Sequence, residues 1–148
     1  MLRRLISTDD DVAGLVLRIT LGAVMWPHGA QKLVGWFGGG GFNSTLTAFQ
    51  DHMGIPAAVT ILVIISEFFG SIGLITGTIT RFCAFGTLCV MIGAIFMVHL
   101  PNGFFMNWSG QQSGEGFEFH LLAVAMAAAL MIKGGGRWSV DAWLADRF

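Results

Sequence analysis

The sequence predicts an all-α protein, a membrane-embedded four-helix bundle. Three observations lead there. Hydrophobic residues make up 54% of the 148 residues and charged residues 11%, against roughly a quarter charged in an average soluble domain. Mean hydropathy is +0.70. The apolar residues also gather in long runs, near the ~20 residues that a bilayer crossing needs, with glycine-rich or polar segments between them. The length fits one domain over residues 1–148.

The first span is expected over residues 12–30. It carries Arg18 and, near its end, Pro27. No small-residue cleavage motif follows it, so it reads as a retained span rather than a signal peptide. Residues 31–54 contain WFGGGGF, where glycine stops a helix. Asn43 or Ser44 can then cap a short helix with Leu46 and Phe49 on one face. His52, beside Asp51, reads as a solvated loop residue. Residues 55–76 form the second span, with Glu67 inside it. Ser66, Gly70, Gly73 and Gly77 make a small-residue stripe there, suited to close approach of a neighbouring backbone.

A tight turn leads into the third span, residues 82–99. Cys83 and Cys89 lie six residues apart on that helix, far round from each other, so they read as packing residues rather than a C-x-x-C redox pair. Residues 100–116 form a second long loop, with Phe104, Phe105 and Trp108. The fourth span, residues 117–133, is the shortest. Ser139 can cap a terminal helix in which Val140, Trp143 and Leu144 share a face along the membrane surface.

Charge sets the orientation. Arg3, Arg4, Arg81, Lys133, Arg137 and Arg147 fall on one side of a four-span bundle and Lys32 on the other. That asymmetry places both termini in the cytoplasm, with Trp26, Trp36 and Trp108 at the outer interface and Trp138 and Trp143 at the inner one. A net charge of −1 gives a nucleic-acid partner no electrostatic support.

Two constellations stand out. Arg18 and Glu67 have opposite sign. Counting down from His28 and from Pro56 places them about 15 and 17 Å deep. They are therefore expected to form a buried ion pair, either a structural one that fixes helix rotation or part of a proton or substrate relay. The second constellation is His28, Gln31, Lys32, His99, Asn102 and Glu118 at the outer ends of the spans, with Glu115 nearby. His28, His99 and Glu118 are expected to converge on one cavity, with Lys32 and Asn102 at its rim. Glu118 and His120 are two residues apart and point to opposite sides of a helix, so Glu118 is expected to face inward and His120 outward.

Three chemistries fit this cluster: a divalent metal, an organic ligand such as a quinone, or a polar rim that holds loops. No metal-ligand spacing is present, and no metal is assigned. Haem would need histidines facing each other near mid-span. Nucleotide-binding and hydrolase motifs are absent.

The stretches LRITLGAVMWPHGAQKLVGWFGG, SEFFGSIGLITGTITR, VHLPNGFF, GFEFHLL and RWSVDAW, in that order, resemble the DoxX family of small bacterial membrane proteins. The resemblance implies a four-span bundle in the bacterial cytoplasmic (inner) membrane and a role as a membrane oxidoreductase subunit. Relatives include a thiosulfate-oxidising, quinone-reducing type. The family's polar positions match at Arg18, His28, Gln31, Lys32, Glu67, His99, Asn102 and Glu118, whereas His120 departs from the pattern.

Two functional readings follow. In one, the protein is an integral-membrane subunit of a quinone-linked redox system, with a head-group pocket at the outer face. In the other, it is a non-enzymatic binding, scaffold or transport bundle for a small or lipid-like ligand. The cofactor stays open between quinone and none. Membrane lipid, a redox subunit that delivers electrons and a second copy of the chain are the candidate partners.

Overall fold

Four apolar helices close into a ring in which each packs on the next. The computed structural model describes residues 6–147; Arg3 and Arg4, counted above for orientation, lie outside the described residues. Helix α1 is Val12–Leu33 and α2 is Gly41–Met53. Helix α3, Ala57–Ile65, runs through a π-helical turn, Ser66–Gly70, into α4, Ser71–Thr76. Helix α5, Thr80–Ala94, runs through a second π turn, Ile95–His99, into a short 3-10 turn, Leu100–Asn102. Helices α6, Glu118–Lys133, and α7, Val140–Ala145, complete the chain.

Three stretches are long and apolar enough to cross a membrane: Val12–Leu33, Ala57–Thr76 and Thr80–Asn102. Helix α6, at 16 residues, is about 24 Å long and falls short of that length. The described residues contain helices and no strand. Helix α1 packs on α4 and α6, and α5 packs on α4, the first π turn and α6. The core is small: Leu21, Met25, Leu74, Ala84, Met91, Ala127 and Leu130 meet along the axis. Large apolar side chains such as Ile61, Leu62, Phe82, Phe96, Leu122 and Ile132 point outward. In water such an exterior would aggregate; in lipid it is the solvated face.

Glycine sets the closest approaches. A Cβ at Gly22 would strike Ser71 O and Ile75, and one at Gly29 would strike the backbone of Glu67 and Phe68. The α1 backbone therefore lies directly against the second span. In the expected stripe on that span, Gly73 faces Cys83 and Gly77 faces Ser139 and the Arg18 guanidinium, while a Cβ at Gly70 would meet only Ile65 O of its own span.

The lower end, taken as the end where α1 begins, is tied by polar groups. Asp11 caps α1 by accepting from Gly14 N at 2.5 Å and pairs with Lys133 Nζ at 2.7 Å. The Lys133 hydrogen bond, helped by that from Gly14, holds the Asp11 carboxyl below its usual 3.8. Arg81 donates to Ser7 O, Met131 O and Ile132 O. The turn between α4 and α5 puts Ile79 at φ 42°, a left-handed conformation that β-branched residues resist. Buried Asp141 holds it there, accepting from Ile79 N at 2.7 Å and Thr80 N at 2.8 Å. Ser139 caps α7, accepting from Ala142 N at 3.0 Å, and leaves Trp138, Val140 and Trp143 exposed.

Candidate functional site

The second span bears on α1 through the first π turn. A π turn adds a residue to the helical repeat and redirects the side chains around it. Here it faces Glu67 into the bundle, 5% exposed, while Ser71 Oγ donates to the Glu67 carbonyl. Gly29 admits that turn against α1. Lys32, three residues on, then reaches Glu67, with Nζ 2.5 Å from Oε2. The buried carboxylate is thus neutralised by lysine, and Lys32 also donates to His28 O at 3.4 Å.

Arg18 is elsewhere, and the expected Arg18–Glu67 pair is not formed. Arg18 is 2% exposed and donates to five backbone carbonyls: Gly135 O, Leu74 O, Ile75 O, Arg137 O and Trp138 O. Its five N–H groups are thereby matched without any carboxylate. The depth count failed because the two spans are staggered. Glu67 lies level with Gly29, so eleven residues of α1, about 16 Å, separate its level from that of Arg18. Pro56 stands correspondingly far above His28, and α2 spans the step.

Above the first π turn the second and third spans separate. Gly86 lies against Ser66, while α3 barely touches α5. The gap is a cavity of about 1050 Å³. Its walls are apolar, with Val59, Leu62 and Val63 on one side and Phe85, Ala94 and Met97 on the other. Several of these, Leu62, Phe85 and Met97 among them, also belong to the lipid-facing exterior. Its polar lining is His28, Lys32, Ser66, Glu67, His99, Glu115 and His120. The second π turn carries His99, so each π turn supplies one titratable side chain to the cavity.

The expected cluster divides accordingly. His28, Lys32 and His99 line the cavity. Glu118 does not: its carboxylate accepts from Met106 N at 2.8 Å and pins the long loop. Asn102 donates to Val98 O and Glu115 O, and Gln31 donates to Phe37 O, so both secure loop backbone. Lys32 lies at the buried carboxylate rather than at a rim. His120 takes the inward place expected for Glu118; it is 7% exposed and its ring centroid is 4.0 Å from that of His99. The overlooked signal is periodicity, since His120, Ala123, Ala127 and Leu130 form the buried stripe of α6. His52 is exposed on α2 rather than in a loop. Among the described residues no three His, Cys, Asp or Glu side chains are grouped to hold a metal ion.

The cavity can accept a flat or chain-like apolar molecule from the side and offer hydrogen bonds to a polar head. Its volume lies at the upper edge of small-molecule sites. No side chain in it is a one-electron carrier: tyrosine is absent, and Cys83 and Cys89 are free thiols.

No curated protein and no solved structure matches the chain. The DoxX family model matches residues 13–100, from the start of α1 to the end of the second π turn. That interval holds Arg18, His28, Lys32, Glu67 and His99, and it covers more than half the sequence. The chain is a membrane protein and belongs to the DoxX family.

Proposed function

We propose that the protein is the membrane subunit of a quinone-linked redox system, with the cavity between α3 and α5 as the quinone site. The observation that carries this reading is the combination in one cavity of lipid-continuous apolar walls and a titratable lining. A lipid-soluble quinone needs both, a lateral path for its chain and hydrogen-bonding groups at its head. Lys32 and the imidazoles of His28, His99 and His120 fit the head group as donors and acceptors. Bound quinone would supply the electron chemistry. Electrons then come from a partner subunit.

In this reading α6 is the fourth crossing, the bundle sits in the bacterial cytoplasmic membrane, and the cavity faces the outer half. Arg81, Lys133, Arg137 and Arg147 supply the cytoplasmic charge excess.

Protein purified in native lipid should carry quinone extractable at close to one per chain, and Lys32→Met combined with Glu67→Gln, which leaves no buried charge unpaired, should lower that yield severalfold per folded chain. Purified, folded protein that retains ordinary lipid but no quinone, and binds none when it is added, would refute the redox reading and favour a lipid-binding or scaffold role.

A further inference from the structure

His120 lies beyond the family match and on the face opposite the one the sequence favoured. It is 7% exposed, and its Nδ1 has no hydrogen-bond partner among the described residues. A buried ring nitrogen left without a partner is costly unless something completes it. The ring lines the cavity and stacks on His99, with centroids 4.0 Å apart at 40°.

Tautomers decide what the pair offers. His99 Nδ1 lies 2.8 Å from Glu115 O. A carbonyl only accepts, so Nδ1 carries the hydrogen, and Nε2 of the neutral ring is an acceptor. That Nε2 makes no hydrogen bond with the described residues. With both rings neutral, the pair presents an acceptor from His99, and one acceptor and one donor from His120. A hydroxyl both donates and accepts, so it can satisfy such a pair; a carbonyl oxygen, which only accepts, leaves the acceptor nitrogens facing it. Lys32 is already neutralised by Glu67 at 2.5 Å, so an anionic head group meets no free cation there.

We propose that the His99–His120 pair is the head-group site of the cavity, and that it selects a neutral hydroxyl-bearing head, the reduced quinol form of the ligand, over the carbonyl form. The proposal rests on the quinone reading above and narrows it to one redox state.

The test uses the full chain in lipid nanodiscs, with a short-chain benzoquinol and the corresponding benzoquinone titrated anaerobically by calorimetry. The quinol should bind at least about tenfold tighter, the worth of about one net hydrogen bond. His120→Phe keeps the ring volume and should bring the two affinities within about twofold of each other. His99→Phe, at the less buried ring, should do the same and serves if the first variant fails to fold. In the unsubstituted protein labelled with 15N-histidine, the quinol should shift the His120 ring-nitrogen resonances and the quinone should not. Equal affinity for both forms, or a preference that survives both substitutions, overturns the proposal and leaves the quinone site standing. If neither form binds, the quinone reading falls and the proposal falls with it.

Discussion

Two buried charges at the residue scale divide the work of the bundle. Glu67 depends on Lys32, whereas Arg18 is held by carbonyls alone. Glu67→Gln would leave a lysine ammonium facing a neutral amide in a largely apolar site. Melting in detergent should show a loss smaller than the roughly 3–5 kcal/mol of a fully buried pair, because Lys32 keeps some solvent access. Lys32→Met combined with Glu67→Gln should recover part of that loss. A double-mutant cycle between Arg18→Lys and Glu67→Gln should instead be additive within about 0.5 kcal/mol. A larger coupling would mean the two charges share a network the geometry does not contain. The sequence singled out both residues correctly, since an ionisable group inside an apolar run stands out whatever its partner. The partner was not legible. Matching depths by counting assumes helices with level ends, and the staggered start of α3 breaks that assumption.

At the scale of elements, the apolar runs were plain and the irregular turns were not. A hydrophobic run shows where a helix lies, but the single extra residue of a π turn leaves the composition unchanged. Both π turns were invisible in the pattern, although the inward placement of Glu67 and His99 that they bring about was expected. The base of the bundle shows the same limit. The Ser139 cap was legible because its partner is three residues away; the Asp141 cap was not, because its partners lie on α5, more than sixty positions earlier. Asp141 accepts from two backbone N–H groups of a turn that Ile79 enters at positive φ. Asp141→Ala would strand both donors, and a loss of about 2 kcal/mol or more in unfolding free energy is expected. Asp141→Asn, which keeps one acceptor oxygen, should lose less. Equal melting of Asp141→Ala and the parent would mean that the turn holds itself.

For the whole molecule, the charge distribution and the apolar exterior bear on one question, which end of the bundle faces the cytoplasm. Membrane embedding was legible from composition alone, because a chain with so few charges cannot cover its surface with them. Direction depends on few residues. Among the described ones, Arg81, Lys133, Arg137 and Arg147 sit at or beyond the lower helix ends, and Lys32 stands alone toward the upper end, engaged with Glu67. Exposed Trp138 and Trp143 mark the lower interface, while exposed Trp36 and Trp108 mark the upper one. Helix α6 alone is too short for a hydrocarbon core of about 30 Å, so the crossing proposed for it would rely on the loop that Glu118 pins above it and the glycines that follow Lys133 below. A reporter active only in the cytoplasm should therefore be active when fused after Thr78 or at the C-terminus, and inactive after Gly110. Activity after Gly110 with silence after Thr78 would invert the bundle. The cavity polar groups would then open toward the cytoplasm, and the electron donor would have to be sought on that side. Activity after Thr78 with silence both after Gly110 and at the C-terminus would mean that α6 does not cross, leaving three spans and a bundle whose fourth helix lies in the interface.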